Sequence, residues 1–314
     1  NCVKLSNDLK KKIKGKVLVD EFSRGRYSTD ASLYQIKPIG VVLPKDQFDV
    51  LNIIEYSQKN SIPLLARGGG SSQCGQTVGE CIVLDYSKYQ NKILEFNAKE
   101  KFVWVEPGIV LDQLNEYLKP HGLWFPVDVS TSSRATIGGM TGNNSCGSRS
   151  LYYGNMVNNV LAVESILDDG SSHTFENLDK NSLSTANDQS LKFQIIKKCI
   201  DIREQVENEI NEHWPKTQRR VGGYNIDLIN PNGFNASNIL VGSEGTLSLF
   251  NKIKLKLSEI PKKKILGVCY FEKFHEAMTL TREMVKLKPT TVELMDKNLL
   301  DLAKEIPIYA DGIK

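Results

Sequence analysis

The residues best suited to chemistry in this sequence lie in three short polar clusters. The first is Arg67-Gly68-Gly69-Gly70-Ser71-Ser72-Gln73-Cys74-Gly75-Gln76. Consecutive glycines let the backbone approach a ligand closely and aim several N–H groups into one concavity, which is an anion-binding nest. Ser71 and Ser72 add hydroxyl donors suited to a pyrophosphate. The run matches neither G-x-G-x-x-G nor a Walker A pattern, so it predicts neither a Rossmann site nor a P-loop. A flexible hairpin loop is the plain alternative, and the flanking Arg67 and paired serines weigh against it.

The second cluster, residues 126–154, packs short polar donors and glycines into one loop, a composition suited to wrapping an extended, polar, anionic cofactor. A disordered linker would lack apolar anchors, whereas Pro126, Ile137, Met140, Leu151 and Tyr152 supply them. The third, Gly242-Ser243-Glu244-Gly245-Thr246, stands between apolar strands and by itself reads as a turn. Arg219 and Arg220 precede Gly222-Gly223-Tyr224, where a guanidinium can clamp a carboxylate bidentately. A solvated basic pair at a helix end fits the same pattern. The histidines His121, His173, His213 and His275 are scattered, match no catalytic motif, and read as surface or structural residues.

These clusters need elements to hold them. Ile39–Leu43, Pro63–Ala66 and residues 81–87 read as strands, with a helix over 46–60 capped by Asp46. That order places the glycine run directly after the second strand of a small α/β unit. Residues 102–108 predict a strand and Leu111–Leu118 a short helix. Strands over 160–168 and 173–175 close a hairpin through Asp169-Gly170. A charged helical segment over 190–212 follows, and Ile239–Val241 and Leu247–Leu257 read as closing strands. Beyond a linker at Pro261–Lys264, residues 266–296 spell strand, helix and strand.

Composition excludes several classes. Lys and Arg number 40 against 37 Asp and Glu, and the resulting +3 is too balanced for a dedicated nucleic-acid binder. A chain of 314 residues suggests about two domains. No apolar run reaches the roughly 18 residues that a membrane span requires, and the first residues contain no signal-peptide core. The six cysteines form no C-x-x-C, so neither an iron–sulfur cluster nor any other metal is expected. A cytoplasmic chain, free or peripheral at the inner face of a membrane, is the expectation. Asn1 in place of an initiating Met suggests a fragment.

In this order and spacing, Arg67–Gln76, Pro126–Gly147, Arg219–Asn225 and Val241–Thr246 resemble the FAD-binding domain of a flavoprotein family. That family includes vanillyl-alcohol oxidase, the para-cresol methylhydroxylase (PCMH) flavoprotein, D-lactate dehydrogenases and the glycolate oxidase flavin subunit. The similarity covers residues 35–305 and is closest to the branch acting on D-2-hydroxy acids such as D-lactate, glycolate or 2-hydroxyglutarate. It implies an α+β fold: a PCMH-type FAD-binding domain of two α+β subdomains, then the start of a ferredoxin-like cap. Residues 1–34 would be an N-terminal extension. Residues 35–260 would be the FAD-binding domain, with subdomains over 35–90 and 100–260, and 265–314 the beginning of a truncated substrate cap.

The resemblance also assigns roles. Arg67, Gly68, Gly69, Gly70, Ser71, Ser72, Gly75 and Gln76 would hold the FAD pyrophosphate. Pro126, Asp128, Ser130, Thr136, Ile137, Gly138, Gly139, Asn143, Asn144, Ser145 and Gly147 would run along the ribityl chain and the ring. Val163 would meet the adenine end, and Gly245 would belong to the last cofactor segment. Several members tether the ring through a histidine directly after the glycine run. Ser71 stands there, so the FAD is expected to be non-covalent, with Cys146 a small packing residue.

The implied activity is an FAD-dependent oxidoreductase that takes hydride from Cα of a small D-2-hydroxy acid to flavin N5. Electrons would pass on to a quinone or iron–sulfur protein. Arg219 or Arg220 would meet the substrate carboxylate. The His-rich Gly-Asp-Gly-Asn motif that supplies the base in that branch is absent, so no catalytic base is assigned and the isolated chain is expected to be inactive. The alternatives are an enolpyruvyl-sugar reductase using NADPH and a non-catalytic scaffold of the same fold. The intact glycines and serines disfavour the scaffold.

Overall fold

A computed structural model describes residues 2–185, 190–310 and 312. The first sheet is built from β1 (Lys16–Leu18), β2 (Gly40–Leu43), β3 (Leu64–Arg67) and β4 (Ile82–Asp85), in the order β1-β2-β4-β3. β4 pairs in parallel with both β2 and β3, and β1 adds antiparallel at the edge. Every residue of β2 and β4 is buried, because apolar side chains cover both faces of this sheet.

Helix α1 (Cys2–Leu9) sends Leu5 and Leu9 into one of those faces beside α3 (Gln47–Asn60), and α2 (Glu21–Arg26) lies between β1 and β2 in sequence. Residues 2–34 thus supply an edge strand and a packed helix to this first layer. A one-residue device secures the junction. Asp49 of α3 is buried and accepts the backbone N–H groups of Lys14, Gly15 and Lys45 at 2.8, 2.9 and 2.8 Å. The expected Asp46 cap is present, its carboxylate accepting the Asp49 N–H.

The second sheet is antiparallel, with β5 (Ile93–Asn97), β6 (Phe102–Val105), β8 (Val160–Ile166), β9 (Ser172–Asp179), β10 (Gly233–Asn235) and β11 (Leu249–Lys256). Its order is β10-β9-β8-β11-β6-β5, which seats the C-terminal strand between β8 and β6 in the middle. A small pair, β7 (Leu123–Trp124) with β12 (Ser258–Glu259), lies outside it. Helix α4 (Leu111–Leu118) buries Leu111, Leu114 and Leu118 in the core of this subdomain, with Phe125, Val163, Phe175 and Ile253.

Three expectations are corrected. Ile239–Val241 is not a strand. Residues 236–239 form a 3-10 turn, because the Asn235 side chain caps the Ser237 N–H and curls the chain. The polar stretch 126–154 is not loop throughout: α5 (Ile137–Asn143) forms within it, capped by Thr136 and ended by Asn144 in the left-handed region. Beyond residue 260 no strand forms among the described residues, so the strand–helix–strand of a ferredoxin-like cap is not observed. Among the described residues, the helix Phe274–Lys286 and two shorter ones are present there. A strand needs partners for its N–H and C=O groups. Here Leu266 and Tyr270 lie 87% and 90% exposed with no neighbouring strand.

Candidate functional site

A cavity of about 390 Å³ opens between the loop after β3, the stretch around α5 and the turn before β11. Of the residues singled out in the sequence, Arg67, Gly68, Gly69, Gly70, Ser71, Ser72 and Gln76 line it from the first loop. Ser130, Thr136, Gly138, Gly139, Asn143 and Ser145 line it from the second, and Gly245 from the third. Gly75, Pro126, Asp128, Ile137, Asn144, Gly147 and Val163 do not reach it.

Those outside have visible structural work. Asn144 caps α5, and its Oδ1 accepts the Val157 N–H at 3.0 Å. Asp128 accepts from the Arg149 N–H at 3.0 Å and from the Ser148 hydroxyl at 3.1 Å. Gly147 passes so near Asp128 that a Cβ would stand 1.5 Å from its carbonyl oxygen. Ile137 and Val163 are wholly buried in the second core.

Inside the cavity the glycines divide into two kinds. A Cβ on Gly68 would stand 1.9 Å from Thr136 Oγ1, and one on Gly138 would stand 2.6 Å from Pro107 Cβ. These glycines let one polypeptide segment pack on another. A Cβ on Gly142 or Gly245 would meet nothing within 4 Å, so these two border open space.

Arg67 does not offer its guanidinium to a ligand. Its NH1 donates to the carbonyls of Tyr27 at 3.3 Å and Thr77 at 3.0 Å, and its NH2 to Thr29 at 2.7 Å. It also stacks on the Tyr27 ring at 5.2 Å. Burial lowers its pKa, partly offset by Asp30 and Asp85. The Tyr27 hydroxyl in turn donates to Asp85 at 2.5 Å; burial and then that carboxylate raise the phenol pKa. The segment around residues 27–34 thereby straps the glycine loop, helped by the Ala31 N–H bonding the Gly70 carbonyl at 3.2 Å.

Sequence reasoning missed several wall residues. Tyr86, Pro107, Val221, Glu244, Ser248 and Phe250 all line the cavity. The Tyr86 hydroxyl and Ser248 Oγ are buried and have no hydrogen-bond partner among the described residues. Burial raises the Tyr86 pKa, leaving a neutral hydroxyl that can donate. Nothing in the local sequence marks Tyr86, which directly follows the buried strand β4. Glu244, by contrast, belongs to the Gly242–Thr246 turn singled out in the sequence, and Ser248 follows it.

Arg219 and Arg220 do not line the cavity, although Val221 next to them does. Arg220 is committed elsewhere: its NH2 meets Asp227 Oδ1 at 2.6 Å and its guanidinium stacks on Trp214 at 4.9 Å. Arg219 is exposed, with no hydrogen bond or ion pair among the described residues. No histidine lines the cavity among those residues; His121 packs with Phe96 and Tyr117, and His173 meets the Ser171 hydroxyl.

A cavity lined by the glycine run, Ser71, Ser72, Ser130, Thr136, Asn143 and Ser145 fits a polar, anionic, extended ligand such as FAD. Residues 38–176 match the model of a family described as FAD binding domain. The chain is 34% identical over 310 residues to a D-2-hydroxyglutarate dehydrogenase of Haemophilus influenzae, covering 94% of this chain and 30% of that relative. It is 26% identical to the glycolate oxidase subunit GlcD of Bacillus subtilis, covering 90% of this chain and 51% of that one. The chain thus spans about a third to a half of the length of these relatives. A solved structure of an alkyldihydroxyacetonephosphate synthase superimposes with a TM-score of 0.64 at 19% identity, over 92% of this chain and 46% of that one, which shows a shared fold. Residues 38–176 of the chain are thus similar to an FAD binding domain.

Proposed function

We propose that this chain is the flavin-holding part of an FAD-dependent oxidoreductase whose substrate is a D-2-hydroxy acid. The observation that carries the cofactor reading is the wall of the cavity: a glycine run with Ser71 and Ser72 at one side, faced by Thr136, Asn143 and Ser145 around α5. The substrate class rests on the likeness to the 2-hydroxy-acid dehydrogenases. Bound FAD supplies a two-electron hydride acceptor. The chain's own part is to bind and orient it. Backbone N–H groups of residues 68–72 and the Ser71 hydroxyl are the donors for the diphosphate, the Ser72 hydroxyl being given to Gln76, and neutral donors rather than a cation make up the set, because the Arg67 guanidinium is spent on backbone carbonyls.

The FAD is held without a covalent link, Ser71 offering no attachment atom for a histidyl bond. Electrons leave to a quinone or an iron–sulfur protein. The substrate carboxylate falls to Arg219, since Arg220 is tied to Asp227. Residues 265–314 are the start of a substrate cap, and the proton-accepting base lies outside this chain's cavity wall. The chain is a cytoplasmic protein, free or peripheral at a membrane; no helix among the described residues is long and apolar enough to cross one.

Titrating the flavin-free chain with FAD, followed by flavin fluorescence, tests the reading. One FAD per chain should bind, and denaturation should return all of it to solution. Absence of binding overturns the cofactor assignment, and fluorescence left on the denatured chain overturns the non-covalent one. Anaerobic addition of D-2-hydroxyglutarate, D-lactate or glycolate should leave the flavin of this chain oxidised; rapid bleaching by any of them would show that the base is already present.

A further inference from the structure

Nothing within the glycine loop fixes which way its peptide between Gly70 and Ser71 points. Gly70 lies at φ 64°. Glycine admits opposite orientations of such a peptide at nearly equal cost, so the choice must come from outside the loop. A trans peptide sets its C=O and its N–H on opposite sides. The Gly70 carbonyl accepts the Ala31 N–H at 3.2 Å, so the Ser71 N–H points away from the strap. Gly70 and Ser71 line the cavity, whereas no described residue from 27 to 36 does. The Ser71 N–H has no backbone acceptor among the described residues and is left as a donor on the cavity side.

The strap is a built unit. It is a tight hairpin, with the Ile36 N–H bonding the Ser28 carbonyl at 2.9 Å and Thr29 bridging Gln35. It also meets the far end of the glycine loop, where a Cβ on Gly75 would stand 2.6 Å from Tyr34 Cδ2. Asp30 is the joint. Its Oδ1 accepts the Ser32 N–H at 2.8 Å, closing a turn around Ala31, and its Oδ2 accepts the Thr77 hydroxyl at 3.0 Å. Arg67 grips the Thr77 carbonyl at the same time. Burial alone would raise the Asp30 pKa, but the bonds from Ser32 and Thr77 outweigh it and lower the value, so the joint is ionised at neutral pH.

None of the cofactor segments read from the sequence includes residues 27–34. Resting on the flavin reading above, we propose that Asp30 is a positioning residue for the FAD diphosphate. Its carboxylate lies outside the cavity wall and acts through the strap. It holds the Ala31 N–H against the Gly70 carbonyl and so keeps the Ser71 N–H aimed at the diphosphate. Without that joint the peptide between Gly70 and Ser71 is free to turn over, and a turned peptide presents a carbonyl, which repels an anion.

The test follows FAD binding to the flavin-free chain by fluorescence, then records the phosphorus NMR spectrum of the bound diphosphate at saturating FAD. Asp30→Ala should weaken FAD about tenfold, the worth of one N–H donor to an anion, and should shift the bound diphosphate resonances. A role in stability alone would leave the resonances of the bound cofactor in place. Asp30→Asn should stay within about twofold of wild type, because its Oδ1 still accepts from Ser32 and the Thr77 hydroxyl can accept from its amide. Ala31→Pro deletes the tethering N–H outright. It should repeat both changes of Asp30→Ala, and it carries the test if Asp30→Ala does not fold. Unchanged affinity or unmoved resonances in these two variants overturn the proposal. So does an equal loss in Asp30→Asn and Asp30→Ala, since charge rather than aim would then be at work. A wild-type chain that binds no FAD would overturn the flavin reading itself.

Discussion

Gly69 lies against Arg134 so closely that a Cβ on Gly69 would stand 2.2 Å from the Arg134 carbonyl oxygen. The glycine loop and the chain entering α5 therefore touch backbone to backbone, and the cavity is formed by that contact.

Substitution at Gly69 should act through folding first. Gly69→Ala forces the two segments apart and should lower stability by about 1–3 kcal/mol, with FAD binding lost as a consequence. Gly142→Ala is the counterpart. Its methyl enters open space at the cavity wall, so the flavin-free protein should melt no lower than wild type while FAD affinity falls. Thermal melts of the flavin-free proteins beside FAD titrations separate the two mechanisms.

Arg67 should tolerate no replacement, lysine included. Its forked guanidinium meets three carbonyls from two segments at once, which an ammonium on a flexible stem cannot reproduce. Arg67→Lys and Arg67→Ala should both cost about 2–3 kcal/mol in urea unfolding. Equal stability of Arg67→Lys and wild type would return Arg67 to the role of a ligand cation.

Asp49→Ala would leave three backbone N–H groups of the N-terminal segment and of Lys45 without their shared acceptor. The expected loss is about 3 kcal/mol or more, since buried unsatisfied donors keep their full desolvation cost. Hydrogen exchange should show residues 14–18 opening first.

Acid should weaken the same corner. The Lys14 ammonium, 2.8 Å away, and then hydrogen bonds from the start of α3 lower the Asp46 pKa below its ordinary 3.8. A depressed carboxyl contributes stability that is complete above the unfolded value and is lost as pH falls through the folded one. The pair is partly exposed, so the effect should be at most about 1 kcal/mol and should shrink in salt. Asp46→Asn keeps the cap and should flatten the pH dependence of the melting temperature below pH 3.8.

Much of the second subdomain was legible along the chain. The Asp169-Gly170 hairpin, helix α4 and strand β11 follow from local period and turn chemistry, which are short-range properties. The glycine run and the polar stretch announced a ligand cavity, because only such residues let backbone donors face a common space. Sequence could not say which of their members face it. Gly68 and Gly138 serve chain-to-chain packing and Gly142 faces the void, a distinction set by segments far apart in sequence. Tyr86 and the strap of residues 27–34 were likewise invisible, since burial without a partner and backbone carbonyls gathered around Arg67 exist only once both sheets are in place. The apolar runs after residue 260 carry the opposite lesson. Their alternation reads as strands, yet pairing is a tertiary event, and with no strand beside them among the described residues their N–H and C=O groups find no ladder.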